Sequence, residues 1–466
     1  MKETTVEGFI ATHDRKHFRG VITIDTKTGL ITKVSKPGKN RKADHVFGND
    51  SLIFAGFGDV HVHAREDQTG EQNYKEEYKT TADAALHGGV VHVSAMPNTP
   101  HPLVSKQDFA WHRHRIAELS HPVSILNYVG IDLHSRPLGK PGEHMYKLFF
   151  GRSVGPLTVI HAVELDEILQ HYQGHHIAFH VEYEPIVRAS ISGATHSDRR
   201  PIECVIEGLL MLLPLIEKYN IKAKFCHWSI GDRSFELVEE YRKRGCYIEV
   251  EVSPLHLMFD TSITDKDSEL WTKIQMNPAI RTPRHRAQLI KALRSGFIQY
   301  LATDHAPHTV EEKFGMFAKY REQYPGLSNV EIGTRLKNEN PPEYYATCKE
   351  NGMSGAPWLD VYGLVCAWLL NEHKFRPQDV ARVASYMPGK FVNPHLKRQF
   401  SKQRFGKGFG EIKKGFVGSL TVLNLKKKTK VRREDVKTKC GWSPLEGRTM
   451  PGAIEAVFIR GKRYDA

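Results

Sequence analysis

Eight short apolar runs alternate with helix-patterned stretches across the middle of the chain, at 57–63, 90–96, 124–130, 145–150, 176–181, 223–228, 247–253 and 298–303. Between them, residues 78–87, 205–219, 232–244 and 284–295 place apolar side chains at helical spacing. Alternation repeated eight times over this length predicts an α/β fold, a (β/α)8 barrel. A third observation points the same way. Polar residues recur at the carboxyl ends of the runs, where such a barrel carries its chemistry.

Taken in order, the first run ends in Asp59-Val60-His61-Val62-His63-Ala64-Arg65-Glu66. Side chains alternate along a strand, so His61, His63 and Arg65 share one face. The second run ends in Met96-Pro97-Asn98-Thr99, and the fourth carries Lys147. The fifth ends at His180, the sixth at His227, and the eighth in Thr303-Asp304-His305-Ala306-Pro307-His308. An isolated His-x-His is ordinarily a surface pair, a lone strand histidine a core residue, and a strand-end aspartate a helix cap. Four histidines, a lysine and an aspartate at the strand ends of one barrel are hard to explain as packing.

The set suits two divalent ions about 3.5–4 Å apart. His61, His63 and Asp304 would hold one and His180 with His227 the other. An anion must bridge them, and a free lysine ammonium cannot, because it has no lone pair. Carbamylated Lys147 would offer two oxygens; on chemistry alone, an ion-paired or surface lysine is the favoured reading.

Before the barrel, residues 9–12, 20–24 and 30–34 are β-rich and separated by turn residues. After it, 309–395 reads as helices and loops, with Pro325-Gly326 and Gly352-Met353-Ser354-Gly355 as turns. The segment 190–200 reads either as a mobile cover of the site or as a surface connection. Residues 418–424 and 453–459 are strand runs, and the basic segment 397–415 leads back toward the N-terminal strands.

Composition narrows the class. The 466 residues are 40% hydrophobic and 26% charged, as in a globular protein. No apolar run approaches the roughly 18–20 residues needed to span a bilayer, and the N-terminus lacks a signal pattern, so no membrane association is expected. Six scattered cysteines without Cys-x-x-Cys spacing predict reduced thiols and a cytoplasmic protein. The net charge of +13 is concentrated late, at 397–439, with Lys426-Lys427-Lys428 and Arg432-Arg433 close together. No aromatics interleave with those clusters, although Phe400, Phe405 and Phe409 lie among basic residues upstream. A solvated face or subunit contact is the favoured reading over nucleic acid.

The motifs resemble the amidohydrolase superfamily, and within it the dihydroorotases. The matching pieces are 59–66, Gly88-Gly89-Val90 with 96–99, Lys147 in Tyr-Lys-Leu-Phe, Arg200-Pro201-x-Glu203 and His227. Met276-Asn277-Pro278-Ala279-Ile280-Arg281, residues 302–308 and the closing 443–447 and 459–462 follow in the same order. The segment after Arg65 lacks the proline-glycine of many relatives, and some relatives have aspartate at the Lys147 position.

The resemblance implies a small β-sandwich domain built from both chain ends, so the expected domains are 1–54, the barrel at 55–395, and 396–466. It implies two divalent ions, zinc foremost, on His61, His63, N6-carboxylated Lys147, His180, His227 and Asp304. Arg65, Asn98 and His308 would hold a substrate carboxylate, with Asn277 a further contact and Asp304 the general acid and base. The implied reaction is reversible closure of N-carbamoyl-L-aspartate to dihydroorotate in de novo pyrimidine (UMP) biosynthesis. Hydantoinases, dihydropyrimidinases and allantoinases are the neighbouring alternatives, as is an inactive scaffold. Implied partners are the small anionic substrate, a second copy of the chain, and aspartate transcarbamoylase.

Overall fold

The computed structural model describes all residues except 1–2, 39–41, 153–154, 351, 401–402 and 466, together with all side chains of the described residues except that of Asp265. The chain opens with β1 (Glu3–Ala11), β2 (Phe18–Asp25), β3 (Leu30–Ser35), a two-residue β4 (His45–Val46) and β5 (Ser51–Ala55). The barrel strands follow as β6 (Phe57–Val62), β7 (Val90–Ala95), β8 (Ser124–Asn127), β9 (Val129–Gly130) and β10 (Tyr146–Phe150). They continue through β11 (His176–Val181), β12 (Lys222–Phe225), β13 (Ile248–Val252) and β14 (Tyr300–Leu301).

All pairings among β6–β14 are parallel. The third run is split at Tyr128, with β8 pairing β7 and β9 pairing β10, so together they form one of the eight staves. A parallel bridge from Val62 to His305 closes the first stave onto the eighth. Buried Asp59 reinforces that seam by accepting hydrogen bonds from the Thr303 amide and hydroxyl.

Helices cover the outside by burying one apolar stripe each. In Ile202–Lys218 the buried residues are Cys204, Val205, Gly208, Leu209, Leu212, Leu213 and Ile216, one helical face. The four expected helices are Tyr78–His87, Ile202–Lys218, Arg233–Lys243 and Pro283–Ser295. Beyond the barrel strands, Phe314, Phe317, Ile332, Leu336, Tyr344 and Cys348 form a satellite core beside the barrel mouth.

The two chain ends join in one eight-stranded sheet, ordered β17-β16-β15-β5-β1-β2-β3 with β4 on β1. Its C-terminal members are β15 (Leu420–Lys430), β16 (Thr449–Ile459) and β17 (Lys462–Tyr464). The sheet encloses its own core of Val6, Ile10, Ile22, Ile24, Ile53, Leu420, Val422 and Phe458. Residues 405–417 return to β3, where Ile31 N–H bonds Phe416 O. Phe405 and Phe409 are buried and pack on one another, with Phe400 against Phe405, so these rings are not a stacking surface for a nucleic acid strand. Lys428, Lys430 and Arg433 remain exposed, whereas Lys426 pairs with Asp50. All six cysteines are free thiols. No helix of the described residues is long and apolar enough to cross a membrane.

Candidate metal centre and substrate pocket

The staves deliver their polar ends to one cavity of about 300 Å³, lined by His61, His63, Arg65, Asn98, His180, His227, Asn277 and Asp304 among others. Three of these residues sit in the left-handed backbone region: Arg65 (φ 60°), His227 (φ 35°) and Asp304 (φ 49°). Such backbone costs on the order of 1–3 kcal/mol per residue and is held only where the surroundings over-determine it.

The donors converge in two groups. His61 Nε2 and His63 Nε2 lie 3.1 and 3.2 Å from Asp304 Oδ1. His180 Nδ1 lies 3.0 Å from His227 Nε2. His61, His227 and Asp304 also offer ligand atoms within 4.8 Å of one another, which links the groups. The spacing fits a metal, since two nitrogens on one tetrahedral ion at roughly 2.0–2.1 Å would be separated by about 3.3 Å. Burial, with the nearby charges of His180, Lys147 and His61, keeps His227 well below the usual imidazole pKa. Burial also lowers His180, against the pull of Glu182, so both rings are neutral, the form that binds metals. For Asp304, burial opposes ionisation but His61, His63 and Lys147 outweigh it and hold the carboxyl well below its ordinary range.

Lys147 is completely buried, its Nζ 3.1 Å from Cys226 Sγ and 4.7 Å from the centre of the Phe149 ring. Its charge bears on His180, His227 and Asp304 alike.

Carboxylates orient the imidazoles from behind. Glu251 contacts His61 Nδ1 and accepts the His227 amide N–H at 3.1 Å. Glu182 lies 3.2 Å from His180 Nε2 and pairs with Arg200 Nη1 at 2.5 Å. His63 Nδ1 donates to Asn98 Oδ1 at 2.8 Å, so Asn98 steadies a ring as well as lining the cavity. Sequence reasoning missed Glu251 and Glu182. Their signal was a charged residue inside a strand buried along its whole length, or one residue past its end.

A second, cationic side of the cavity is built around Arg65. The residue is 3% exposed; Nη2 lies 3.2 Å from His308 Nε2, while Nε and Nη1 have no hydrogen-bond partner. Burial lowers its pKa to about 10, which leaves it charged at neutral pH. His308 is held from behind by Glu312 Oε2 at 3.3 Å, and Glu312 pairs with Lys75 at 2.9 Å. Asn277 accepts from Ser354 Oγ at 3.0 Å. Gly355, at φ 133°, could carry no side chain, because a Cβ would lie 2.5 Å from Ala306 O. Lys313 pins the same loop by donating to the carbonyls of Gln275, Met353 and Gly355.

The segment after His180 is docked on the mouth of the barrel. His196 Nε2 donates to Met276 O at 3.0 Å, Ser197 Oγ to Ile280 O at 2.9 Å, and Arg199 to Lys349 O at 3.0 Å.

No protein-family model matches the chain. A dihydroorotase of Halalkalibacterium halodurans is 30% identical over 322 residues, covering 66% of this chain and 71% of that protein. The chain belongs to the dihydroorotase family. It is a hydrolase of the class that acts on cyclic amide C–N bonds. The dihydroorotase of Bacillus subtilis is 27% identical over 448 residues, 93% of this chain and 91% of the relative. That of Pyrococcus furiosus is 25% identical over 459 residues, 96% and 89% of the two chains. Among solved structures, the L-hydantoinase (dihydropyrimidinase) of Arthrobacter aurescens superposes with a TM-score of 0.78 at 19% identity, covering 99% of this chain and 96% of its own. The dihydropyrimidinase of Brevibacillus agri gives 0.73 at 16% identity, over 99% and 95%. These two structures share the fold of this dihydroorotase-family chain.

Proposed function

We propose that this family member is a dihydroorotase, interconverting dihydroorotate and N-carbamoyl-L-aspartate in pyrimidine synthesis. The observation that carries the reading is Arg65: a buried guanidinium lining a small cavity, with two nitrogens, Nε and Nη1, lacking partners. A buried charge of this kind calls for an anion, and a ring carboxylate supplies one. Hydantoin and dihydrouracil rings have no such group.

In this reading His61, His63, Asp304, His180 and His227 would hold two divalent ions, zinc foremost, and Lys147, as a carbamate, would be a further ligand. When bound, the ions polarise the amide carbonyl and lower the pKa of the attacking water. Arg65, His308 and Asn98 seat the substrate carboxylate, which fixes the ring amide over the two histidine groups. Asp304 is held as a carboxylate at neutral pH, as a base must be. Its Oδ1 faces two imidazoles, so Oδ2 takes the water proton and hands it to the leaving ring nitrogen. In ring closure the same oxygen acts in reverse. His63, kept in one tautomer by Asn98 Oδ1, presents Nε2 to Asp304 throughout.

The test is turnover of dihydroorotate, hydantoin, dihydrouracil and allantoin by the purified protein, alongside metal analysis. Preference for dihydroorotate is expected. Turnover of the three carboxylate-free rings with dihydroorotate untouched would assign the site to another cyclic amide.

A further inference from the structure

A buried polar cluster adjoins the metal-ligand set and shares His61 with it. His61 Nδ1, Cys226 Sγ and a Glu251 oxygen lie within 4.8 Å of one another, all buried, a spacing that could hold a third metal ion. The cluster already has a cation. Lys224, completely buried on β12, places Nζ against Glu251 Oε2 and 4.0 Å from Cys226 Sγ. The rings of Phe391, Tyr128 and Tyr300 surround that ammonium, with centroids 5.3, 5.7 and 5.9 Å away.

We infer that Lys224 is the built-in cation of this cluster: it takes the place of a third metal and fixes Glu251 as the positioning residue of His61. The inference rests on the metal-binding reading of the upper site. A neutral imidazole has one N–H and one lone pair. With Nδ1–H donated to Glu251, the His61 lone pair lies at Nε2, facing Asp304. A metal on Nδ1 would leave His61 without either proton whenever Nε2 was also ligated. An ammonium against Glu251 balances the carboxylate without making that demand. The aromatic walls add cation–π attraction to a charge that could not otherwise be buried. Lys224 thus acts through Glu251 on His61, and Glu251 through His61 on the metal.

Cobalt(II) titration of the full chain tests this, because a cobalt–thiolate bond absorbs strongly in the near ultraviolet and histidine or carboxylate ligation does not. The unsubstituted protein is expected to bind cobalt without a thiolate band, and Cys226→Ser to bind the same number of equivalents. Lys224→Met should gain one equivalent together with the band, and the double substitution with Cys226→Ser should lose both. Glu251→Gln should bind the first equivalents about 10–100-fold more weakly. A thiolate band in the unsubstituted protein, a lost equivalent in Cys226→Ser, or no gain in Lys224→Met would each overturn the inference. If Lys224→Met does not fold, the unsubstituted protein and Cys226→Ser still decide. A protein that binds no cobalt at the upper site refutes the metal reading separately, since the Lys224→Met band is scored independently of it.

Discussion

Replacing Arg65 by methionine separates a substrate-binding role from a structural one. Methionine keeps an unbranched apolar stem and meets the same φ of 60°, so the backbone cost is nearly matched. What disappears is a charge whose Nε and Nη1 are buried without partners, on a residue that lines the cavity. Each charge-assisted hydrogen bond to a carboxylate contributes about 1.5–3 kcal/mol. Losing two costs about 3–6 kcal/mol of transition-state binding, or about 10²–10⁴-fold in kcat/KM for dihydroorotate. The loss should fall mainly on KM, because the carboxylate is bound equally before and during reaction. Any residual turnover of dihydrouracil, which has no carboxylate, should be unchanged or improved. The assay is ultraviolet absorbance of ring opening for both substrates. An unchanged kcat/KM for dihydroorotate, or an equal fall for both rings, would refute the argument and make Arg65 a scaffold residue.

Asp304→Asn should lose turnover by at least the about 10²–10⁴-fold ascribed to general acid–base catalysis while retaining much of its metal; full activity would remove Asp304 from the mechanism. Lys147→Ala should lose the metal pair and recover part of it, with part of the activity, in a short carboxylic acid; unaltered metal content by elemental analysis would end the bridging role. Acid stability should report the Glu182–Arg200 pair. Burial pushes Glu182 up, but Arg200 and His180 outweigh it and lower its pKa to about 2 from 4.5. A carboxyl depressed on folding stabilises the fold above pH 4.5 and loses that contribution as pH falls toward 2. Urea midpoints of metal-free protein should therefore fall less between pH 7 and pH 3 in Glu182→Gln than in the unsubstituted chain, and identical falls would show that the pair does not contribute.

Much of this architecture is legible in local pattern. The eight staves, the four helices and the strand runs at both ends follow from side-chain periodicity, which is a property of neighbours in sequence. The ends of the staves differ from the apolar runs: β12 is Lys222–Phe225 and β14 only Tyr300–Leu301, shorter than the runs at 223–228 and 298–303. Apolar residues continue past a strand wherever the following loop is also buried, so hydrophobicity overstates hydrogen-bonded length. The run at Ser51–Ala55 belongs to the small domain, pairing with β15 and β1, a choice made by partners distant in sequence.

For the site, residue types and order name His61, His63, Lys147, His180, His227 and Asp304 as candidates, and the folded chain brings the four histidines and Asp304 to one cavity. Their chemistry is intrinsic, and a barrel gathers its strand ends whatever the intervening sequence. Only the folded chain could show that Glu251 stands behind His61, that Asn98 holds His63, and that Lys224 faces Glu251 rather than water. Lys222 and Lys224 are two residues apart on one strand, yet one is exposed and the other wholly buried. Sequence determined which groups could bind metal and anion. Tertiary structure decided which charges lost their water, and so which needed a partner, because desolvation depends on what packs around a side chain from the rest of the chain.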